Sequence, residues 1–263
     1  MSGLIRPEAL LVDFGGVIVE TRNRPGWQGR LAEYLAAELA EADVHLDGLT
    51  TGDIERDIQA GGQADSKWKD AMSRPFAPAE LRYDQFWVDF VAGDWPGAPR
   101  AYVQENAREL CRVMGEIKQE RKTRDGIVEV LDHAESWGIP VVIVSNTLMG
   151  VVHRDYLETV GLTERFEAQI YSDEVGIRKP NPEMIHLGAQ AAGVRTEKSW
   201  YVGDNFDRDV LCGVRAHVGG NILMEARSTY DLAYDLPIKA DAVVADGWGL
   251  LNLLEESTAR DVA

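Results

Sequence analysis

The sequence is short of basic residues: 27 lysines and arginines stand against 44 aspartates and glutamates, giving a formal net charge of -17. Such a chain repels the phosphates of nucleic acids and the headgroups of acidic membranes unless a local basic patch intervenes. The longest basic run is the short KQERKTR at 118–124. We therefore expect no nucleic-acid partner and no membrane partner. A small phosphorylated ligand remains compatible, because one metal ion and one lysine reverse the local field.

Cysteine, histidine clusters and long apolar runs are also scarce. The two cysteines, Cys111 and Cys212, are far apart and form no metal-ligand spacing. The five histidines share no such spacing either. The residues MSGLIRPEAL contain no apolar signal segment, and no apolar run approaches the roughly 20 residues of a membrane span. We therefore expect a soluble cytoplasmic protein with reduced thiols.

Apolar runs are distributed unevenly along the 263 residues. A buried strand is predicted at 10–15. Helical periodicity follows in four segments, at 29–44, 51–61, 77–93 and 100–117. From residue 121 onward strands and helices alternate, which is typical of a parallel sheet with helices on both faces. The pattern predicts an α/β protein with two domains: a doubly wound core of residues 1–20 and 121–263, and a helical insert of residues 21–120.

Short oxygen-bearing side chains follow three of the predicted strands. They are Asp13, Ser145, Asn146 and Asp204. After Phe14, Asp13 is followed by the pair Gly15 and Gly16, which have no side chains and so allow a ligand to approach the backbone closely. Ligands of doubly wound sheets bind at the carboxyl ends of the strands, near the point where the strand order reverses. We therefore expect these side chains to converge on one edge of the sheet.

The loop EVGIRKPNPEMI adds a cation to this set. Pro180 and Pro182 stiffen the loop, Asn181 is placed to cap the following helix, and Lys179 comes just before the helix begins. A helix N-terminus already attracts anions, and a lysine there strengthens the attraction. Phosphate is the ligand that this loop predicts.

Two carboxylates beside a phosphate would repel it unless a divalent cation lies between them. Mg²⁺ takes one or two carboxylates together with water and phosphate oxygens, so Asp13 and Asp204 are predicted metal ligands. One carboxylate is then able to attack phosphorus and form an aspartyl-phosphate, which water hydrolyses. The residues thus predict a Mg²⁺ cofactor and a small phosphorylated metabolite as substrate.

Four segments, in this order, resemble the four motifs of the haloacid dehalogenase-like hydrolase superfamily: Asp13 in VDFGGV, Ser145 in VIVSNT, Lys179 in GIRKPNPEMI, and Asp204 with Asp209 in VGDNFDRDV. The resemblance covers the whole core, and the insert matches the family's helical cap. It implies a Rossmann-like fold in which Asp13 is the nucleophile, Ser145 binds the phosphoryl oxygens and Lys179 steadies both. It also implies that the Gly15 carbonyl and Asp204 bind Mg²⁺, with Asp209 supporting the metal site.

The first motif departs from the family's pattern. The phosphatases of the family usually carry Asp-x-Asp, in which the second aspartate is the general acid and base, whereas this chain has Gly15 at that position. General acid-base catalysis contributes roughly 10²–10⁴-fold. We therefore expect slow turnover, a good leaving group such as a glycosyl or acyl phosphate, or a substitute group. Glu20 is the nearest candidate substitute.

Further substrate contacts are predicted at Gly16, beneath the phosphate, and at Asn146. Trp27, beside Arg22 and Arg24 at the start of the insert, is the tryptophan we expect to face the substrate. The insert would choose the substrate and exclude water by opening and closing. The sequence leaves the oligomeric state open.

Two other functions remain open. A 2-haloacid dehalogenase shares the fold and also lacks the second aspartate of the first motif, but it needs no metal, so the presence of Asp204 argues against it. A non-catalytic protein that lost turnover along with that aspartate would bind phosphate or Mg²⁺ without releasing phosphate. A phosphotransferase is disfavoured, because the missing residue would return protons to a second sugar hydroxyl.

Overall fold

The computed structural model describes residues 3–261, which divide into two compact units. Unit 1 holds residues 3–21, 73–80 and 121–261, and unit 2 holds residues 22–72 and 81–120. The chain therefore passes from one unit to the other four times: after residues 21, 72, 80 and 120. The sequence placed residues 73–80 in the helical insert, whereas the structure groups them with the core.

The strands of the described residues are β1 (Ala9–Val12), β2 (Val19–Asn23), β3 (Gln119–Thr123), β4 (Val141–Ser145), β5 (Ala168–Tyr171), β6 (Ser199–Gly203), β7 (Gly220–Met224) and β8 (Ala242–Val244). Six of them form one parallel sheet in the order β5-β4-β1-β6-β7-β8. After β1 the chain builds one side of the sheet with β4 and β5, and then crosses to build the other side. The strand order thus reverses at β1, whose carboxyl end is where ligands of such sheets bind.

The helices of the described residues are α1 (Trp27–Glu41), α2 (Thr51–Met72), α3 (Gly97–Glu105), α4 (Ala107–Lys118), α5 (Ile127–Ser136), α6 (Gly150–Thr159), α7 (Ser172–Val175), α8 (Glu183–Ala191), α9 (Leu211–Ala216) and α10 (Gly247–Asp261). Two π-helical segments, Gln85–Val91 and Phe206–Val210, interrupt this pattern. Within the described part of the chain, no helix is both long enough and apolar enough to span a bilayer.

The core of unit 1 lies on both faces of the six-stranded sheet. Leu10 and Val12 point to one face, where helices α5 and α10 cover them, and Leu11 points to the other, where helix α8 covers it. This alternation is the period of two that a strand imposes on its side chains. Because both faces are covered, the strands are apolar throughout, as parallel strands usually are. The predicted α/β fold with a doubly wound parallel sheet is confirmed.

Unit 2 is built mainly from α1, α2, the π-helical segment Gln85–Val91, α3 and α4. Helix α1 buries Leu31, Leu35 and Leu39, one every fourth residue, which is the apolar stripe of an amphipathic helix. Helix α2 begins with a reciprocal cap: the Thr50 hydroxyl accepts the Asp53 N–H at 3.2 Å, and the Asp53 carboxylate accepts the Thr50 N–H at 3.0 Å.

Two local features differ from the sequence prediction. The segment at 77–93 was expected to be one helix, but Ala79 forms an antiparallel bridge with Ile177. Helical structure begins only at Tyr83 and leads into the π-helical segment Gln85–Val91. Pro78 explains the difference, because proline inside a helix removes a backbone hydrogen bond and clashes with the preceding turn. Strands β2 and β3, which form a separate two-stranded sheet, were not predicted at all.

Candidate active site

Asp13 follows strand β1 directly and is buried, with 9% of its surface exposed. Its Oδ1 accepts the N–H of Phe14 at 2.7 Å, and its Oδ2 lies 2.9 Å from the ammonium of Lys179. Ser145, at the end of β4, also hydrogen-bonds to this carboxylate. Burial raises the pKa of Asp13, and Lys179 offsets only part of the increase. The carboxylate predicted to be the nucleophile thus lies at the central strand end, against the predicted lysine and serine.

Lys179 lies at the centre of this edge and is almost fully buried. Its Nζ donates to Asp13, to Asp209 Oδ1 at 2.7 Å and to the Tyr201 hydroxyl at 2.8 Å. Burial alone would lower the pKa of Lys179, but Asp13 and Asp209 together raise it, so the side chain is an ammonium ion. We call Lys179, Asp13, Tyr201, Asp204 and Asp209 the Lys179 cluster.

Asp209 is held by several donors at once. Its Oδ1 accepts the Tyr201 hydroxyl at 2.7 Å, and its Oδ2 accepts the N–H of Asp204 at 3.2 Å and of Asn205 at 3.0 Å. Burial would raise the pKa of Asp209, but Lys179 and these hydrogen bonds lower it below its ordinary value. Asp209 is therefore a fixed anion that orients the lysine and the backbone of the Asp204 turn.

The cluster has the donor set of a divalent-cation site. One carboxylate oxygen from each of Asp13, Asp204 and Asp209 lies within 4.8 Å of the others. Burial, followed by the charges of Asp209 and Asp13, raises the pKa of Asp204 to about 8. A carboxyl group that burial and neighbouring carboxylates keep protonated is one that a hard cation would ionise, and Mg²⁺ prefers such oxygen ligands. The residues present therefore fit Mg²⁺.

The two glycines after Asp13 differ in what they allow. Gly16 has a φ of 79°, and a Cβ there would overlap the carboxyl group of Asp204, so this position requires glycine. A Cβ built on Gly15 meets no atom within 4 Å. Space for a side chain thus exists at the position where the family's phosphatases carry their second aspartate.

Asn146 bonds to the backbone of the lysine loop. Its Nδ2 donates to the backbone oxygen of Lys179 at 3.0 Å, and its Oδ1 accepts the Lys179 N–H at 2.8 Å. The amide thus holds the backbone of the lysine loop against the end of β4. The contact of Asn146 with substrate stays a prediction.

Glu20 and Trp27, the remaining predicted substrate contacts, lie in different units. Glu20 is exposed and lines a cavity of about 670 Å³ in unit 1, together with Gly15, Gly16 and Asp204. Trp27 is buried in unit 2, where the ammonium of Lys118 lies 5.0 Å from its ring centroid. The contact of Trp27 with substrate stays a prediction.

Two residues of this edge were not found from the sequence. Tyr201 reads as one more apolar position of strand β6, yet its hydroxyl bridges Lys179 and Asp209. Arg124 donates to the backbone oxygens of Gly16, Glu225 and Ala245 and so ties three loops together. Arg124 ends the short basic run at 118–124, and only its three-dimensional contacts reveal its role.

The fold and this site together define a hydrolase class in which an aspartate at the end of the central strand is paired with a lysine and lies beside further acidic residues. A model of the haloacid dehalogenase-like hydrolases matches residues 7–217. The chain belongs to this family, and the resemblance drawn from the four motifs is confirmed.

Individual relatives and structures give the same family. Phosphoserine phosphatase of Thermus thermophilus is 32% identical over 124 residues, which are 46% of this chain and 47% of that protein. Pyrophosphatase PpaX of Oceanobacillus iheyensis is 29% identical over 133 residues, 51% of this chain and 60% of that protein. The matched part thus spans about half the length of these curated relatives.

Solved structures share the fold over nearly the whole chain. CbbY from Rhodobacter sphaeroides in complex with phosphate has a TM-score of 0.58 at 16% identity, covering 93% of this chain and 96% of that one. A 2-haloacid dehalogenase from Pseudomonas syringae also has a TM-score of 0.58, at 17% identity, covering 98% and 99%. Because a structure with bound phosphate and a dehalogenase share the fold, the fold does not choose between chemistry on phosphate and dehalogenase chemistry.

Proposed function

We propose that this protein is a Mg²⁺-dependent phosphatase that hydrolyses a small phosphorylated metabolite through an aspartyl-phosphate on Asp13. The observation that carries the proposal is the Lys179 cluster, in which Asp13 and Asp209 pair with one buried lysine and the partly buried Asp204 adds a third carboxyl group beside them. This surplus of negative charge suits a metal ion and phosphate, and it is unsuited to a metal-free reaction. The phosphatase and pyrophosphatase relatives support the same chemistry.

Each residue has a distinct task in this mechanism. Asp13 attacks phosphorus, Ser145 binds a phosphoryl oxygen, and Lys179 stabilises the charge that develops on the transferring group. Asp13, Asp204 and the carbonyl of Gly15 would hold Mg²⁺, which would neutralise phosphate charge. Asp209 and Tyr201 keep the lysine aimed at Asp13 through hydrogen bonds of 2.7 and 2.8 Å.

The glycine at position 15 favours a particular kind of substrate. No second carboxylate follows Asp13 to protonate the leaving oxygen, and this loss is worth roughly 10²–10⁴-fold for a leaving group that needs a proton. Glycosyl and acyl phosphates need it least, so we propose them as the substrate class. Glu20, which lines the cavity beside Gly15, is the proposed proton donor for other substrates.

A panel of phosphorylated metabolites, including glycosyl and acyl phosphates, tests the proposal. Phosphate release is measured with Mg²⁺ and with a chelator, and Asp13→Asn serves as the blank. Asp207→Asn is a matched control, because Asp207 is a buried aspartate of the same turn that contacts neither Lys179 nor Asp13. Release that requires both Mg²⁺ and Asp13 supports the proposal. Metal-free activity on 2-haloacids, unaffected by Asp204→Asn, would instead establish a dehalogenase.

Binding of phosphate or Mg²⁺ without turnover of any substrate would identify a non-catalytic member of the family.

We propose a cytoplasmic location for the protein. Both cysteines are buried and free, which supports a reducing compartment.

A further inference from the structure

The segment Ser73–Glu80, which we call the return segment, lies in unit 1 although the chain on either side of it lies in unit 2. Ala79 pairs with Ile177 in an antiparallel bridge. The Glu80 N–H donates to the Gly176 oxygen at 3.0 Å, and the Arg178 N–H donates to the Pro78 oxygen at 3.2 Å. The return segment is therefore attached by its backbone to the residues that immediately precede Lys179.

Glu80 contributes a buried carboxylate to this contact. Its Oε1 lies 2.7 Å from Nη1 of Arg178, and its Oε2 accepts the Ser172 hydroxyl at 2.5 Å. Arg178 is 1% exposed and Glu80 is 9% exposed, so the pair is screened very little by water. One carboxylate thus fixes two groups that belong to different parts of unit 1.

Those two groups lead to the two loops of the proposed phosphate site. The Ser172 hydroxyl accepts the N–H of Thr147 at 2.8 Å, and Thr147 follows Ser145 by two residues. Arg178 immediately precedes Lys179 in the chain. The loops already meet through the Asn146 amide and the Lys179 backbone. Glu80 joins the same two loops a second time, through Ser172 and Arg178.

The carboxylate is not needed merely to attach the return segment. Arg215 donates to the backbone oxygens of Pro75, Phe76 and Pro180 at 2.7, 3.3 and 3.1 Å, and the backbone bonds at Pro78 and Glu80 add to this attachment. A buried ion pair is also a costly way to hold two segments together, since apolar side chains of similar volume often stabilise a fold as well or better. What the pair adds is a fixed direction for Ser172 and Arg178.

We propose that Glu80 is a positioning residue for the phosphate-binding loops, acting through Ser172 on Thr147 and through Arg178 on Lys179. The kinetic part of this proposal rests on the proposed phosphatase function. Displacing reacting groups by a fraction of an ångström to an ångström costs up to about 100-fold in rate. We therefore expect Glu80→Gln to lower kcat by about 10- to 100-fold, with a smaller effect on KM.

Three variants separate positioning from simple stability. Glu80→Gln leaves the Arg178 charge buried without its carboxylate, and Glu80→Asp keeps the charge on a shorter side chain. The double variant Glu80→Gln with Arg178→Met removes both charges, so it should recover the unfolding stability that the single variant loses. Asp65→Asn is the matched control, since it removes a buried carboxylate paired with Lys69 at 2.7 Å in unit 2.

Two measurements are made on each variant in the intact chain. The first is kcat and KM on the best substrate of the panel, below the melting temperature of every variant. The second is amide hydrogen exchange of Thr147 and Lys179, whose N–H groups donate to Ser172 and Asn146 at 2.8 Å in each case. The exchange measurement needs no turnover, so it decides the positioning proposal even if the protein releases phosphate from no substrate.

The expected result is that the double variant regains stability but keeps the low kcat, and that both amides exchange faster than in the wild type and in Asp65→Asn. Glu80→Asp should be intermediate, and it supplies the test if Glu80→Gln does not fold. A double variant that regains wild-type kcat, or amides that exchange at the wild-type rate, would overturn the proposal. Loss of the proposed function is a separate outcome, recognised by the absence of Asp13-dependent phosphate release in the wild type.

Discussion

Arg178 and Lys179 are neighbours in the chain, and both are 1% exposed, yet they lie in two very different charge environments. Lys179 is surrounded by the carboxyl groups of Asp13, Asp204 and Asp209, whereas Arg178 has its ion pair with Glu80. The Lys179 cluster carries more acid than base. The Glu80–Arg178 pair is balanced.

This difference separates a reactive site from its support. A balanced buried pair satisfies its own charges and has no need of a ligand. Burial raises the pKa of Asp13 and of Asp204, and at Asp204 the charges of Asp209 and Asp13 raise it further. A proton or a cation relieves this strain, so burial together with surplus negative charge marks the part of the molecule where a ligand is expected.

The largest effect is expected from Asp13→Asn, within the surplus cluster. Turnover should fall by roughly 10³-fold or more, because the attacking oxygen is lost. Stability should change little, since Lys179 keeps Asp209 at 2.7 Å. Phosphate-release assays and thermal melts of the same preparation check both statements. A variant with wild-type turnover would place the nucleophile elsewhere.

A change in the Glu80–Arg178 pair should affect stability strongly, whereas Asp13→Asn should leave stability almost unchanged. Glu80→Gln should lower the free energy of unfolding by about 3–5 kcal/mol, because it leaves the Arg178 charge buried without its carboxylate. Asp65→Asn should cost less, since its partner Lys69 is partly exposed and stays hydrated. Urea denaturation of both variants gives the comparison, and equal losses would refute the distinction.

Adding a carboxylate to the surplus cluster is the next test. Gly15→Asp should raise turnover by about 100-fold on substrates with poor leaving groups, because it supplies the missing acid and base in open space. Glycosyl and acyl phosphates should gain less. Gly16→Asp is the control and should be inactive, since its Cβ would overlap Asp204. If Gly15→Asp changes nothing, Glu20 becomes the first residue to substitute.

The last effect is expected from pH, and it concerns stability. The pKa of Asp204 is about 8 in the folded metal-free chain against an ordinary value of 3.8, so between these values the folded state binds more protons than the unfolded state. Stability should therefore fall, and Tm with it, as pH rises from about 5 to about 8. Melts in chelator and in Mg²⁺ test this. The cation should flatten the pH dependence, and Asp204→Asn should weaken it in the absence of metal, leaving the contribution of Asp13.

The sheet edge was predictable because parallel strands bring their carboxyl ends together. Asp13, Ser145 and Asp204 each follow an apolar run, so their convergence follows from the alternation of strands and helices alone. Lys179 was predictable from the prolines that frame its loop. These signals are local in sequence, and the parallel topology of the sheet then brings the residues together at one edge.

Glu80 and the pairing of Asn146 were not predictable for the opposite reason. Glu80 meets Arg178 across 98 positions of sequence, and its surroundings at 77–93 have helical periodicity. The prolines in PFAP at 75–78 were the one local sign that the helix would be interrupted. Asn146 meets the Lys179 backbone across 33 positions, and no pattern within either segment encodes that register.

The four passages of the chain between the units limit how this protein is able to diverge or be redesigned. A single continuous insert is exchanged between relatives by cutting at two points. Here such an exchange, from residue 22 to residue 120, would remove the return segment and leave Arg178 buried without Glu80. A replacement insert would have to consist of two segments, one on each side of a retained Ser73–Glu80, or it would have to supply its own carboxylate for Arg178. Unit 2 therefore cannot be exchanged as one continuous module.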